Sequence, residues 1–385
     1  MNAAPKRAGS AIVGVAESDL GVVAPGTTPL DLMGQAIQAA LADCGLSLAD
    51  VDGVFGAASQ LRMPTLSLCE YLGIRPRYYD SSYIGGASFQ SLAAHAALAL
   101  EAGLCNVAVI AYGSTQRSAR GKFAPQRDMN DYDGLYNPRL PATGYALAAA
   151  RHMHLYGTTR SDLADIALAA RAWAQKNPRA FDRRPLTRED VLNAPMVSSP
   201  LGVKDCCLVT DGGAAVVMVR ADRARDLRRK PVYLLGAGEA QEHHSITQMA
   251  ELTDTGAARS GAQAYAMAGL SAGDIDVVQV YDAFTITTLL FLEDLGFCPK
   301  GEGGRFVQDG AIAPGGVLPV NTSGGGLSYC HPGMFGLFTM VEAVRQLRGE
   351  CGDRQVAHAE TAIAHGNGGV LAGQATLILG TSSTI

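Results

Sequence analysis

The segment CGLSLADVDGVFG (Cys44–Gly56) returns later in the chain as AGLSAGDIDVVQV (Ala268–Val280). Each copy closes an Ala-rich stretch of helical pattern, turns on Gly-Leu-Ser and enters an apolar run of strand type. A second correspondence lies downstream of each. GGASFQSLAAHAALALEAG and then NVAVIAYGS (Gly85–Gly103, Asn106–Ser114) stand in the same order as GGLSYCHPGMFGLFTMVEAVRQLRG and then ETAIAHGNG (Gly325–Gly349, Glu360–Gly368). Coincidence could produce one such match, but not three in register. The chain therefore reads as two homologous halves, about 1–240 and 241–385. The first half is longer. Its excess, about Arg117–Val203, is polar and carries two helical patterns, TGYALAAARHMHLYG and TRSDLADIALAARAWAQKNP. It reads as an inserted loop domain, the kind of excursion that covers a site.

Within each half, apolar β runs alternate with Ala-rich helices, as in an α/β protein built on central, mostly parallel sheets. Apolar residues make up 48% of the chain and charged ones only 17%, against about 25% in an average soluble protein. A large buried core is expected. The net charge is −5 and no basic run stands out, which argues against nucleic-acid binding. No stretch reaches the roughly 18 apolar residues of a membrane span. MNAAPKRAGSAIVGVAES leads into a first strand rather than a signal peptide, so a cytoplasmic protein is expected. The eight cysteines are scattered, form no Cys-x-x-Cys pair and sit mostly among apolar neighbours. They read as buried reduced thiols, and no metal-ligand spacing appears.

Loops at corresponding strand ends of a duplicated α/β fold converge, and four stretches occupy such places: SSYIGGASFQ (Ser81–Gln90), VYDAFT (Val280–Thr285), NTSGGGLSYCHPGMFG (Asn321–Gly336) and AIAHGNGG (Ala362–Gly369). Gly-Gly ahead of a helix exposes N–H groups at its positive end, which suits an oxyanion or phosphate. Gly85, Gly86, Gly325 and Gly326 are the candidate ligand-binding positions on that ground. Tyr329, Cys330 and His331 stand in a row. Adjacent side chains do not face the same way, so if His331 points into a site, Cys330 points away from it.

Together with DGGAAVVMV (Asp211–Val219) and HGNGGVLAGQATLILG, these blocks resemble the thiolase superfamily, in the branch with sterol-carrier-protein-x-type thiolases, over essentially the whole chain. The resemblance implies a duplicated fold of two βαβαβαββ halves in five layers, αβαβα, with an inserted loop domain. Thiolases place a nucleophilic Cys at the start of a buried helix, an Asn or His in an N/H-x-x-F motif, a His in G-H-P, and a second Cys in C-x-G. This sequence has Gly85 or Gly86, Tyr281, His331 and His365 at those places, so only the third is kept. Glycine cannot hold an acyl group covalently. Steroid side-chain-cleaving aldolases of the superfamily are more similar, with Gly-Gly for the nucleophile, YD-x-F-T, and a Tyr two residues before the retained His, here Tyr281 and Tyr329.

The resemblance thus implies retro-aldol cleavage of a bulky 3-hydroxyacyl-CoA, with Tyr281 or Tyr329 taking the hydroxyl proton. His331 would stabilise the thioester enolate, and His365 or the other Tyr would return a proton to the α-carbon. An acetyl-CoA acyltransferase-like condensing enzyme and a non-catalytic acyl-CoA or lipid-binding subunit are the alternatives. Coenzyme A enters as the thioester substrate, with basic residues among 117–204 expected over its arm. A homodimer is implied, as is a small partner protein with a zinc ribbon and an OB-like fold. Any zinc is expected in that partner rather than in this chain.

Overall fold

The computed structural model describes residues 8–119 and 133–385. Of the expected insert, 120–132 lie outside the described residues. The chain begins with β1 (Ser10–Glu17), α1 (Pro29–Cys44), β2 (Gly53–Gly56), α2 (Pro64–Leu72), β3 (Tyr78–Asp80), α3 (Ser88–Glu101) and β4 (Val107–Ser114). An excursion comes next, with α4 (Ala142–Tyr156), α5 (Arg160–Gln175), α6 (Arg188–Leu192) and the hairpin of β5 (Met196–Ser198) and β6 (Leu201–Gly202). Then come β7 (Gly212–Arg220), α7 (Ala221–Ala224), β8 (Val232–Gln241), α8 (Ala257–Ala268) and β9 (Val277–Val280). The chain ends with α9 (Thr285–Asp294), α10 (Gly303–Phe306), α11 (Gly336–Arg348), β10 (Thr361–Gly368) and β11 (Gly373–Gly380).

The strand order β3-β2-β4-β7-β1-β8-β11-β10-β9 has the same pattern from either end. β2 and β9 lie parallel to β4 and β10, and β7 and β11 then pair antiparallel in equivalent places. Each unit keeps the order βαβαβαββ, except that the third strand of the second unit shrinks to one bridge, Val320 to Val278. The sheets are mixed rather than mostly parallel. β10 and β11 are joined by a tight turn, which allows only antiparallel pairing.

The repeated segment folds the same way twice. Gly45 and Gly269 end α1 and α8 in left-handed conformation, at φ 80° and 70°. The next Ser then caps a short 3-10 turn with an Asp, Ser47 with Asp50 and Ser271 with Asp274. Strand alternation assigns the layers. Val107, Val109 and Ala111 of β4 face α1, while Ala108, Ile110 and Tyr112 join the larger core of α3 and α11. α3 and α11 form the central layer, and α1 and α8 cover the outer faces, giving αβαβα. The outer helices approach very closely: a Cβ on Gly14 or Gly236 would meet a helix carbonyl at 2.1 Å.

One buried charge ties the layers together. Glu17 ends β1 and receives both guanidinium nitrogens of Arg345 from α11 at 2.6 Å, Arg179 at 3.1 Å and the Tyr329 hydroxyl at 2.6 Å. Burial alone would raise its carboxyl, but the charge and hydrogen bonds of Arg345, then Arg179 and Tyr329, bring it down to about 2. Removing one partner strands a buried charge. Arg345→Met is expected to cost about 3–5 kcal/mol in urea unfolding, with Glu17→Gln in the same chain recovering much of it. The contribution of Glu17 is present above its unfolded value near 4.5 and is lost as pH falls toward about 2.

Candidate active site

β9 runs buried to Val280, and the chain then turns through Tyr281–Phe284 into α9. The Thr287 hydroxyl locks that turn, donating to the carbonyls of Tyr281 and Phe284 at 3.1 and 2.7 Å. His331 is fixed by its backbone, whose N–H donates to the Thr210 hydroxyl at 3.0 Å and whose carbonyl accepts from Thr210 N–H at 3.3 Å. The two elements bring the Tyr281 hydroxyl to 2.9 Å from His331 Nε2. Phe335 flanks both rings, edge-on to Tyr281 and stacked on His331. Burial pushes the Tyr281 phenol well above its usual range and lowers His331 to about 4, so both are neutral at pH 7.

The Tyr281 ring lies over the first turn ahead of α3. A Cβ on Gly86 would fall 2.0 Å from Tyr281 Cε2 and 2.7 Å from the Asn367 carbonyl. At Gly85, where φ is +66°, it would fall 2.7 Å from the Gly368 Cα. A cysteine therefore has no room in this turn. Elsewhere, desolvation is the largest influence on all eight thiols and raises every one, with Cys206 and Cys298 at about 12. None is activated as a nucleophile. Cys330, between Tyr329 and His331, is fully buried.

Tyr329 and His365 stand in separate clusters. The Tyr329 hydroxyl is committed to Glu17. His365 meets Thr376 Oγ1 through Nδ1 at 2.9 Å and Gln374 Oε1 through Nε2 at 3.0 Å, and burial lowers it to about 3. From Gln374 a chain of amides passes to Asn367 and on to the hydroxyl of Tyr145 in α4, which stacks on Phe284. The N–H groups around Gly325 and Gly326 are already taken. Gly325 donates to Ser323 Oγ at 3.2 Å, while Gly326 and Leu327 donate to the Asp282 carboxylate at 2.6 and 3.2 Å. Glu17, Arg345 and the Tyr145 chain gave no signal in the sequence, because each joins residues far apart along the chain.

A groove of about 350 Å³ opens on the same region from outside. Arg117, Arg171, Arg184 and Lys204 line it, and Cys206–Val209, Leu327 and Ser328 form its floor. The floor reaches the site through two backbone bonds, Cys207 N–H to the Ala283 carbonyl at 2.9 Å and Leu208 N–H to the Gly326 carbonyl at 2.8 Å. Among the described residues no group of three His, Cys, Asp or Glu side chains is placed to hold a metal ion, and no helix is long and apolar enough to cross a membrane.

Residues 238–381 match the family model described as thiolase C-terminal domain-like. Over 364 residues the chain is 36% identical to the 17-hydroxy-3-oxo-4-pregnene-20-carboxyl-CoA lyase of Mycobacterium tuberculosis, covering 88% of this chain and 92% of the lyase. It is 34% identical over 379 residues to an acetyl-CoA acetyltransferase of Methanothermobacter thermautotrophicus, covering 93% and 96%. Among solved structures it is similar to the Ltp2-ChsH2(DUF35) aldolase, at 32% identity and a TM-score of 0.86, covering 97% of this chain and 98% of that one.

Two measurements probe this arrangement. Gly86→Ala must push aside the Tyr281 ring and crowd the Asn367 carbonyl, at a cost of about 1–3 kcal/mol; combined with Tyr281→Ala, the share owed to the ring should vanish in a double-mutant cycle, leaving the share owed to the carbonyl. His365 is neutral when folded, so protons bind the unfolded state first between its ordinary value of 6.5 and about 3. The stability advantage of wild type over His365→Gln should therefore shrink by about 1.4 kcal/mol per unit as pH falls through that window.

Proposed function

The chain belongs to the thiolase superfamily, and from that premise we propose that it is a CoA-thioester aldolase that cleaves a bulky 3-hydroxyacyl-CoA without a cysteine nucleophile. One observation carries the reading: at Gly85–Gly86, the turn that the resemblance matches to the thiolase nucleophile, the Tyr281 ring packs against Gly86 and its hydroxyl meets His331 Nε2. The pair suits a step that moves a proton rather than an acyl group. The substrate's 3-hydroxyl gives its proton to the Tyr281 oxygen as Tyr281 passes its own to the neutral His331. The Cα–Cβ bond breaks, the hydroxyl carbon becomes a ketone or aldehyde carbonyl, and the electron pair enters the thioester as an enolate. The proton then returns by the same path to the α-carbon, leaving a shorter acyl-CoA and the original catalyst. Imidazolium with a pKa near 4 is a strong donor for that return. Tyr329 and His365 are read as positioning residues, since their polar atoms already have protein partners.

Lys204 and the arginines of the groove are read as the seat of the coenzyme A phosphates, with the pantetheine arm passing the Cys207 strip toward Tyr281. Arg171 and Arg184 share Asp182, which leaves the groove a net basic lining. A small DUF35-type partner, of the zinc-ribbon and OB-like kind, is expected to complete the acyl site, on the likeness to the Ltp2-ChsH2(DUF35) aldolase. A homodimer is the expected state. The second reading, acyl transfer, is favoured by the similarity to the acetyl-CoA acetyltransferase. It requires a reactive thiol, and burial raises all eight.

The test is turnover of a steroid or aromatic 3-hydroxyacyl-CoA by the full chain, with and without a DUF35-type partner and after treatment with a thiol-alkylating reagent. Cleavage that survives alkylation is the expected result. Acetyl transfer that alkylation abolishes would replace the aldolase reading, and no turnover of either kind would leave a binding subunit. Tyr281→Phe should lower kcat by about 10²–10⁴-fold while the melting temperature stays near wild type.

A further inference from the structure

Asp282 is fully buried and stands between the two members of the reacting pair in the chain's connectivity. It comes directly after Tyr281. Its two oxygens accept the N–H groups of Gly326 and Leu327, in the π-helical turn Gly325–Tyr329 that leads through Cys330 to His331. The turn is shaped to this carboxylate. Gly324 and Gly325 are left-handed, at φ 101° and 61°. A Cβ on Gly325 would sit 2.0 Å from Asp282 Oδ2, and one on Gly326 would sit 3.2 Å from Asp282 Oδ1 and from the His331 ring. Consecutive N–H groups converging from such a turn form a small anion site, and here the chain fills it with its own side chain.

We propose that Asp282 is a positioning residue: its ionised carboxylate holds the 325–327 turn and thereby sets His331 against Tyr281. Tyr281 is held by β9 and α9, and His331 by its backbone bonds to Thr210. Asp282 joins these two supports across 44 residues of chain at the Gly326 bond. Both oxygens are needed as acceptors. A proton on Oδ2 would set O–H against the Leu327 N–H and release that end of the turn, which is also part of the groove floor.

Burial pushes this carboxyl up to about 7, against the pull of the Gly326 and Leu327 N–H groups and the Asn321 side chain. The titratable groups facing it are the Cys207 and Cys330 thiols, both raised by burial and neutral around pH 7. The main influences on it are burial, backbone N–H groups and the Asn321 side chain, with no Lys, Arg or His among them. Tyr281 and His331 titrate far from neutrality, well above the usual phenol range and at about 4. An ionisation near 7 in the pair's behaviour therefore has Asp282 as its natural owner.

The inference rests on the aldolase reading for its kinetic arm but not for its spectroscopic one. With the full chain carrying ¹⁵N-histidine, the His331 Nε2 resonance reports its hydrogen bond to Tyr281 whatever the substrate. In wild type it should shift with a midpoint near 7, far from the protonation of His331 itself, and Asp282→Asn should abolish that shift. Where cleavage is measurable, kcat should rise through the same midpoint. Asp282→Asn should lower kcat by about 10–100-fold, as a misplacement of about 1 Å does, with KM changed less than about threefold and the limb near 7 gone. Gly325→Ala, which crowds the same oxygen, should disturb the same resonance if Asp282→Asn does not fold. A wild-type His331 signal flat between pH 6 and 8, or an Asp282→Asn protein that keeps the neutral limb, would overturn the proposal. Loss of cleavage in wild type with the resonance shift intact would instead reject the aldolase reading alone.

Discussion

The candidate site depends on the volume occupied by one aromatic ring. Tyr281 lies where any side chain at position 86 would have to go, at 2.0 Å from a Cβ placed there. Interiors are close-packed, so ring and side chain exclude one another. A glycine at 86 and a tyrosine at 281 are one feature rather than two substitutions. The ring is held from the other side by Phe335, and its hydroxyl reaches the one imidazole nitrogen that faces it. The bare backbone at 86 leaves room for a phenol, and the phenol meets the imidazole of His331.

Around this pair the structure spends its buried polar groups on holding backbones. Glu17 takes three partners from α11, the excursion and the 325–329 turn. Asn177 Nδ2 donates to the Ser323 carbonyl and Arg171 Nε to the Ser328 hydroxyl, so α5 and the segment just after it fix the same turn from outside. The turn that precedes His331 is thus held by Asp282 within, by Glu17 through Tyr329, and by α5 beyond. Partially satisfied networks are costly and fully satisfied ones specify a single arrangement. Here the arrangement specified is the direction in which His331 faces.

Much of this was legible in the sequence, and the reason is periodicity. The Gly-Leu-Ser-x-x-Asp repeat encodes a left-handed cap, a Ser–Asp turn and a strand through local chemistry alone, and it folds that way in both copies. Tyr281 and His331 were legible through their flanking Asp-x-Phe and Pro-Gly. The Gly-Gly pairs were legible as special backbone, but their purpose was not. At 86 the missing side chain makes room for a ring, at 85 for the backbone of Gly368, and at 325–326 for a carboxylate. The orientation of Tyr329 toward Glu17 was not legible, since the partner lies 312 residues away and neither residue's neighbours announce it. The direction of strand pairing was hidden for a related reason: apolar runs show that a strand is buried, not which way its neighbour points.

The two halves have also parted where they first looked most alike. In the first, the Gly-Gly turn runs straight into α3 at Ser88. In the second, the chain makes a π-helical turn at Gly325–Tyr329 and extends at Cys330, and α11 starts only at Gly336. The added residues carry His331 and the loop through Gly333, whose carbonyl also lies 3.4 Å from the Tyr281 hydroxyl. One helix entrance is bare backbone at Gly85–Gly86, and the other is longer and carries an imidazole. The helix entrances remain in contact, since a Cβ on Gly336 would strike the Gly86 carbonyl at 2.0 Å. Neither entrance can regain bulk without displacing the other or the ring between them. A thiol placed at position 86 alone would therefore run into the Tyr281 ring and the Asn367 carbonyl, which already occupy the volume it would need.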